Sequence, residues 1–194
     1  RKLEHAGLTH LVGSWCQIDV CDEPVILAGN SLPWYGLAPD MDGCSAEDPP
    51  GGPLRILLSH SPDQINWART HQFDLMLAGH THGGQVCVPG VGALITNCDL
   101  PREYARGLHV WHHALSAAYL NVSAGLGTSI YAPVRFACPP EAVLAAAREA
   151  SAARTAFSVG RAARASAASI ASPGAPVLRA TSERTLSGKG ASPL

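Results

Sequence analysis

The chain has 194 residues, of which 46% are hydrophobic and 15% charged, a composition typical of one ordinary domain with a sizeable core. Its formal net charge of −1 argues against a dedicated binder of nucleic acid or anionic membranes. No stretch reaches the roughly 18 to 20 apolar residues of a membrane span, and residues 1–10 are too polar for the core of a secretory signal. We therefore expect a chain that is soluble as it stands.

Charge and composition divide the chain into two parts. From Ser151 onward six basic residues stand against one acidic residue, so this tail carries +5 and the remainder −6. The tail is rich in Ala, Ser, Arg, Gly and Pro, and it cannot bury enough apolar surface to offset its ordering entropy. The sequence predicts a globular body over residues 1–150 and a disordered tail over residues 151–194. The first residue is Arg1 rather than a methionine, which suggests a processed chain or a fragment.

The first predicted elements are short. Residues 2–7 are typical of a helix end that a glycine closes. The apolar runs 8–12 and 24–28 are typical of strands, and residues 29–30 are predicted to form a turn after the second. Proline, glycine and aspartate dominate residues 33–53, which predicts a long irregular loop.

Two strands of the fully buried type follow, with one helix between them. Residues 54–59 form a nearly continuous apolar run that ends before His60, and residues 73–78 form a second such run. Ser61 as cap, followed by Pro and Asp, predicts a helix that continues to about residue 71. The second strand ends at the string Gly79-His80-Thr81-His82-Gly83-Gly84-Gln85.

Three histidines are predicted to meet at the ends of these strands. The simplest arrangement is a right-handed βαβ unit with parallel neighbouring strands, whose carboxyl ends lie at the sheet edge where α/β proteins bind ligands. This places His60, His80 and His82 together, and imidazole is a common ligand of zinc, manganese, iron and cobalt. The flanking glycines allow the backbone to bend toward an ion. The sequence therefore predicts a metal site, and the alternative is a pair of hydrogen-bonded loop histidines.

The rest of the body is predicted from shorter patterns. Residues 104–111, 118–123 and 134–138 resemble strands, and an alanine-rich helix is predicted over residues 139–155. The six cysteines contain no C-x-x-C pair and are too sparse for a disulfide scaffold, so we expect reduced, mostly buried thiols.

At this point the motifs resemble a known family. Leu58-Ser59-His60-Ser61-Pro62-Asp63 and the later Gly79–Gln85 string are similar to the second half of the calcineurin-like metallophosphoesterases, above all to their bacterial branch of small, often membrane-associated phosphodiesterases. Gly125-Leu126-Gly127 and the segment Arg135–Glu141 match the same branch. The resemblance covers about Leu3–Ala147. It implies an α/β fold that is part of a two-sheet αββα sandwich, with the N-terminal half missing from this chain.

The resemblance also implies a set of site residues and a reaction. The site would hold two divalent metal ions, either Mn, Fe, Zn or Co. His60 and His80 would bind one ion, and His82 would bind the other. Gly83, Gly84 and Gln85 would shape the wall of the substrate pocket. Arg135 would either contact the phosphate or form a structural ion pair. The implied activity is hydrolysis of phosphoesters, phosphodiesters above all, with lipid-linked substrates among them.

The sequence departs from the family in its missing first half. The D-x-H, G-D and G-N-H-[DE] motifs are not present, so the family's catalytic histidine lies outside this chain, and Asn30 is interpreted as a turn residue. Three neutral imidazoles leave too much uncompensated charge for two dications. We therefore expect this chain alone to hold one ion weakly without hydrolysing substrate. The expected location is cytoplasmic or membrane-peripheral, with membrane contact only through a segment not present here.

Two other functions compete with this interpretation. His60, His80 and His82 could hold a structural zinc in a noncatalytic module, with Cys87, Cys98 or an aspartate as the fourth ligand that such a closed site needs. The basic tail could bind nucleic acid, which would make this chain a nucleic-acid accessory protein. The tail lacks the interleaved aromatic residues typical of such segments, so we expect no nucleic-acid partner.

Overall fold

A mixed six-stranded sheet runs through the computed structural model, which describes residues 7–44, 52–113, 116–146 and 179–183. In chain order the strands and the α-helix are β1 (Trp15–Val20), β2 (Glu23–Asn30), β3 (Leu54–Ser59), α1 (Ile65–Thr70), β4 (Leu75–Ala78), β5 (Cys87–Val88), β6 (Gly92–Ala93), β7 (Gly107–His113), β8 (Ser116–Val122), β9 (Ala142–Ala146) and β10 (Arg179–Glu183). The sheet order is β1-β2-β3-β4-β8-β7, with parallel central pairs and antiparallel edge strands. The α/β class is confirmed.

The predicted unit of strand, helix and strand is present and positions the site. Strands β3 and β4 are parallel neighbours, with Ile56 opposite Leu75. Between them the Ser61 hydroxyl accepts a hydrogen bond from the Asp63 amide, and a 3₁₀ turn at Pro62–Gln64 leads into α1. The capping pattern of the sequence therefore does start the helix there. Because both strands run the same way, His60 and His80 follow them at one edge of the sheet.

The core lies between α1 and one face of the sheet. One residue row across the central strands is fully buried and consists of Ala28, Leu57, Met76 and Leu120. Ile65 and Ala68 of α1 and the neighbouring Phe73 pack against it. Each fully buried aliphatic side chain contributes about 1.5–3 kcal/mol, so this layer supplies much of the folding free energy.

The opposite face of the sheet is also apolar but less covered. Leu58 is 39% exposed and Val110 is 42% exposed, whereas Leu57, which precedes Leu58 and faces the helix, is fully buried. Leu27, Ile56 and Leu77 on the same face are half-buried. Central parallel strands are normally covered on both faces. The described residues thus leave one apolar face of the sheet partly open.

The first strand lies seven residues later than predicted. Residues 8–12 form only an isolated bridge, from Val12 to Gly29, while β1 covers Trp15–Val20. The hairpin to β2 turns at Cys21 and Asp22, both of which have a positive φ. Two-residue hairpin turns of this kind usually contain glycine, and most of β1 is exposed, so the sequence carried a weak signal for either feature.

The predicted turn at residues 29–30 is wrong because both residues end β2. Gly29 is required by a close approach, since a Cβ there would overlap the carbonyl oxygen of Leu11. Asn30 is 3% exposed, and its side chain accepts a hydrogen bond from the Leu32 amide at 2.9 Å and donates to Gln64 Oε1 at 3.4 Å. It lies at the same sheet edge as His60.

Two later strand predictions need correction. The strand predicted over residues 104–111 begins only at Gly107, because Arg102–Ala105 forms a 3₁₀ turn. The segment 134–138 is not a strand, and it contributes a single parallel bridge between Phe136 and Val86. Short apolar runs of this kind are ambiguous from sequence alone, because the partner strand decides whether they pair.

The predicted alanine-rich helix is wrong over Ala142–Ala146, which form β9 and pair antiparallel with β10. Local propensity favours a helix there, but pairing with a segment more than thirty residues away overrides it. The expected disorder of the tail is likewise wrong for Arg179–Glu183. Residues 139–141 of the predicted helix are irregular, while residues 147–155, the rest of the tail and the predicted helix end at residues 2–6 lie outside the described residues.

Candidate metal centre

Two of the predicted metal ligands touch at the sheet edge. His60 Nε2 lies 3.0 Å from His80 Nδ1, and the ring centroids are 4.8 Å apart. Each histidine follows the last residues of its strand, so the contact is a direct consequence of the parallel pairing of β3 and β4. The structure thus brings His60 and His80 together as the sequence predicts.

The hydrogen bonds of His80 identify its tautomer. His80 Nε2 lies 3.0 Å from the carbonyl oxygen of Asn97, and a carbonyl can only accept, so Nε2 carries the proton. In the neutral ring Nδ1 is then the unprotonated nitrogen, and its lone pair faces His60. Histidines that bind metals commonly donate their other N–H to a backbone carbonyl in this way.

The loop that carries Asn97 is fixed by the start of the helix. The Asp99 amide donates to Asp63 Oδ1 at 2.8 Å, while Asp63 Oδ2 accepts from the Ser61 hydroxyl at 2.8 Å. Asp63 therefore does more than cap the helix, because it ties the loop behind His80 to the strand end that carries His60.

His82 lies near the other two rings but is held separately. Partial burial, Arg135 and His80 lower the pKa of His82, and a hydrogen bond to the Gly127 backbone opposes that shift. Partial burial and the neighbouring rings of His80 and His82 also lower the pKa of His60. Both rings are therefore neutral at pH 7, which is the form that binds metal ions.

A three-ligand cluster is not formed. Within residues 7–44, 52–113, 116–146 and 179–183, no three His, Cys, Asp or Glu side chains make a group that could hold one metal ion. His60 and His80 form a hydrogen-bonded pair, and His82 interacts with that pair electrostatically. The division of the three rings between two ions, implied by the family resemblance, stays a prediction.

The backbone of this loop is strained at the histidines themselves. His80, His82 and Gln85 have φ values of 67°, 50° and 51°, a region that residues with a Cβ seldom adopt. Such conformations cost of order 1–3 kcal/mol each and concentrate at functional sites. The sequence predicted that glycines would supply the bending, which is confirmed for Gly83 and Gly84 with φ values of 65° and 84° but not for Gly79.

The residues predicted to line the substrate pocket have packing roles. Gly83 is buried, and a Cβ on it would lie 2.7 Å from Cys138 Sγ and 2.9 Å from Ala124 Cβ. A Cβ on Gly84 would overlap the side chain of Ala93. The Gln85 side chain donates to the Ala132 carbonyl at 2.8 Å and accepts from the Ser129 amide. Their contact with a substrate stays a prediction.

Arg135 binds main-chain carbonyls. Its guanidinium donates to the main-chain carbonyls of His82 at 3.1 Å, Ala124 at 2.7 Å, Gly125 at 3.2 Å and Gly127 at 3.0 Å. A longer contact reaches the carbonyl of Cys138. These bonds use its N–H groups and give Arg135 a positioning role in the loop, while its contact with a phosphate stays a prediction. It holds both the carbonyl of His82 and the segment that contacts the His82 ring.

Aromatic and aliphatic side chains around the histidines were missed from the sequence. The ring centroid of Trp34 lies 5.2 Å from that of His80, in a loop that the sequence predicted only as irregular. The loops that contact the histidines carry large apolar side chains that are more than half exposed: Trp34, Tyr35, Leu37, Ile95, Ile130 and Tyr131. Proximity of these loops to the site has no local sequence signal.

Comparison with known proteins gives the class. The chain is 32% identical over 142 residues to phosphodiesterase YaeI of Escherichia coli, which covers 73% of this chain and 48% of YaeI. It is 35% identical over 86 residues to the metallophosphoesterase YkuE of Bacillus subtilis, covering 44% of this chain and 28% of YkuE. UDP-2,3-diacylglucosamine pyrophosphatase LpxG of Chlamydia muridarum is 36% identical over 92 residues, covering 44% and 26%.

These matches confirm the resemblance: the chain is a relative of the calcineurin-like metallophosphoesterases. It spans about half the length of YaeI and less of the other two proteins. No protein-family model matches it, and no solved structure matches it significantly. None of the helices in the described part of the chain has the length and apolarity to cross a membrane.

Proposed function

We propose that this chain is part of a metal-dependent phosphoester hydrolase in which His60 and His80 bind one divalent cation and His82 binds a second. The observation that carries the proposal is the 3.0 Å approach of His60 Nε2 to His80 Nδ1 at the ends of two parallel strands. The names of the relatives, phosphodiesterase, metallophosphoesterase and pyrophosphatase, support the reaction class.

The spacing of the two nitrogens suits a shared ion. Nitrogens bound at about 2.0–2.1 Å to one cation, with angles between perpendicular and tetrahedral, lie about 2.9–3.4 Å apart. The observed 3.0 Å falls in that interval. The lone pair of His80 is already directed at this position by the bond to Asn97, whereas His60 has only to move its proton to Nδ1. Borderline cations such as Mn, Fe, Co and Zn suit imidazole donors.

The chain's own residues contribute placement rather than proton transfer. When bound, a pair of divalent cations supplies a nucleophilic hydroxide at neutral pH and neutralises charge on the phosphoryl oxygens. His80 is oriented by Asn97, and His82 by the backbone of Gly127. Arg135 keeps those supports in place through the carbonyls of His82 and Gly127.

The remaining ligands come, in this proposal, from a part of the protein outside this chain. The described donors are neutral imidazoles, and two dications need carboxylates to balance their charge. The half-covered sheet face around Leu58 and Val110 supports a second sheet that packs there, as in a two-sheet αββα sandwich. Leu58→Ala should then lower the free energy of unfolding of the given chain by under about 1 kcal/mol. In a chain extended at its amino end it should lower it by about 2–3 kcal/mol, because the second sheet would bury the Leu58 side chain.

A lipid-linked phosphoester is the substrate class that the site supports best. LpxG is named for a diacylated substrate, and the loops that contact the histidines carry exposed apolar side chains such as Trp34, Tyr35 and Ile130. Exposed apolar residues clustered beside polar groups mark surfaces that bind apolar partners. A cytoplasmic or membrane-peripheral location, without a nucleic-acid partner, fits this substrate class.

The competing structural zinc site gains no support. It needs a fourth ligand, but the thiol of Cys87 contacts the carbonyl of Gly83, and the thiol of Cys98 contacts Thr96 and Leu100. The described residues offer no group of three donors, and a closed zinc site needs four.

Hydrolysis of a chromogenic aryl phosphodiester in the presence of Mn²⁺ tests the proposal in the extended chain. His80→Ala and His82→Ala should abolish turnover while leaving the circular dichroism spectrum unchanged. His112→Ala is the matched control, because His112 is exposed on the edge strand β7, and it should retain full activity. Unchanged turnover in the first two variants would overturn the assignment.

A further inference from the structure

Two cysteine thiols lie together beneath the loop of His82. The Cys87 thiol donates to the carbonyl oxygen of Gly83 at 3.3 Å, and the Cys138 thiol donates to the same oxygen at 3.4 Å. Cys138 also contacts the carbonyl oxygen of His82 at 3.4 Å. The two sulfur atoms lie within hydrogen-bonding distance of the same oxygen, so the two thiols are neighbours, and Cys138 influences the pKa of Cys87.

The backbone fixes this approach. Val86 and Phe136 form a parallel bridge, the Cys87 amide donates to the Phe136 carbonyl at 2.9 Å, and the Phe136 amide donates to Gln85 at 2.8 Å. Paired segments lie about 4.7–4.9 Å apart, so the two stretches of chain are neighbours at Val86 and Phe136. Cys87 follows that bridge by one residue and Cys138 by two, after Ala137 with a φ of 49°. The main chain thus brings the two segments together, and the shared contact with the Gly83 carbonyl places both sulfurs on one side.

The other cysteines differ from this pair. Cys21 is exposed in the β1–β2 turn, and the Cys98 thiol contacts Thr96 and Leu100. Cys138 is the one fully buried cysteine of the described residues, so the expectation of mostly buried thiols is wrong for the rest. Burial and the neighbouring Cys138 raise the pKa of Cys87, so Cys87 rests as a thiol at neutral pH.

We propose that Cys87 and Cys138 are a redox modification site that a peroxide converts to an intramolecular disulfide. Each thiol gives up one hydrogen, the two sulfurs form a bond, and the two electrons and two protons reduce hydrogen peroxide to two water molecules. A dithiol reductant reverses the reaction by thiol–disulfide exchange. Cys87 is the member that peroxide reaches, because it is half-buried, and its thiolate form attacks the peroxide, so the raised pKa makes oxidation slow at neutral pH. Cys138 is 1% exposed and resolves the oxidised Cys87 from its buried position.

The disulfide would act on the metal loop directly. Cys138 Sγ occupies the space beside Gly83 that a Cβ would otherwise fill, 2.7 Å from that position. Pulling the sulfur toward Cys87 removes its contacts with the carbonyls of His82 and Gly83. This effect on His82 rests on the proposed function, but formation of the bond does not.

Disulfide mapping of the whole chain tests the proposal. The chain is treated with hydrogen peroxide, free thiols are blocked with iodoacetamide, and the unreduced digest is analysed by mass spectrometry. We expect one peptide pair that joins Cys87 to Cys138, lighter by two hydrogens than its separate parts and lost after dithiothreitol. Recovery of both cysteines as alkylated thiols, or as mixed pairs with Cys21 or Cys98, would overturn it.

Two variants sharpen the test. Cys87→Ser replaces the half-buried partner and should leave Cys138 alkylated after peroxide treatment, without the joined peptide. Cys98→Ser is the matched control and should give the joined peptide in the wild-type yield. An unchanged disulfide pattern in Cys87→Ser would contradict the proposal, as would loss of the pair in Cys98→Ser. Phosphodiester hydrolysis measured before and after peroxide treatment is a separate readout of the effect on His82. If that activity does not change, the effect on His82 is refuted, but the mapped disulfide still stands.

Discussion

Arg135→Ala is a substitution outside the apolar core from which we expect a large loss of stability. The guanidinium binds carbonyl oxygens from two separate segments, at His82 and at Ala124–Gly127. Truncation leaves these oxygens without their donors. Ala124 is 1% exposed, so its carbonyl in particular would lose a partner in a buried place.

The size of the effect follows from these contacts. A buried acceptor left without a donor costs about 1–3 kcal/mol, and hydrogen bonds from charged groups contribute about 1.5–3 kcal/mol each. Water can enter the partly exposed space that the side chain leaves, so only the innermost bonds count fully. We expect a loss of about 2–3 kcal/mol, because two inner carbonyls, those of His82 and Ala124, bear most of the cost.

Urea denaturation followed by tryptophan fluorescence measures this loss. A decrease of 2–3 kcal/mol lowers the midpoint by about 1–2 M at the slopes usual for small proteins. Arg102→Ala is the matched control, because Arg102 is exposed and makes one contact of 3.4 Å with the Ala93 carbonyl, and it should change stability by under about 0.5 kcal/mol. Arg135→Lys keeps the positive charge but loses the planar guanidinium that binds several carbonyls at once, so it should also be destabilised. Equal midpoints for Arg135→Ala and Arg102→Ala, or full stability in Arg135→Lys, would refute the reasoning.

Three further predictions concern the same loop. Gly83→Ala should cost about 2–4 kcal/mol in urea because its Cβ would clash at a φ of 65°, whereas Gly79→Ala, with open space, should be neutral. Asp63→Ala should weaken Co²⁺ binding about fivefold, measured by calorimetry, because it frees the loop behind His80. Folding lowers the pKa of His60, so below about pH 6.5 the unfolded chain takes up a proton first. The urea midpoint of the wild-type chain should therefore decrease when the pH is lowered from about 7.5 to about 5.5, and the decrease should be smaller in His60→Ala. A urea midpoint that does not change with pH would contradict this prediction.

The sequence predicted the part of the site that depends on local pattern. Apolar runs of strand length, a capped helix between them and histidines directly after each run were enough to place His60 beside His80. Parallel pairing converts two positions far apart in sequence into neighbours, and a short crossover allows few alternatives. For this reason the prediction succeeded without any long-range information.

The rest depends on contacts that leave no trace in residue patterns. The carbonyl of Asn97 orients His80, and Arg135 binds four other carbonyls, but any residue supplies a carbonyl, so neither partner could be recognised from sequence. The residue pattern of β9 favours a helix, and its strand pairing cannot be recognised from sequence because its partner β10 is remote. Local propensity is a weak guide wherever a distant strand competes for the same backbone groups.

The most direct test of the central claim is a Co²⁺ titration of the chain followed by absorption spectroscopy, since the visible bands of Co²⁺ report its ligands. The account predicts saturable binding with the bands of a nitrogen-ligated ion, lost in His60→Ala and His80→Ala and kept in the surface control His112→Ala. Absence of such bands in the wild-type chain, or equal binding by all variants, would contradict the assignment of His60 and His80 as a metal-binding pair.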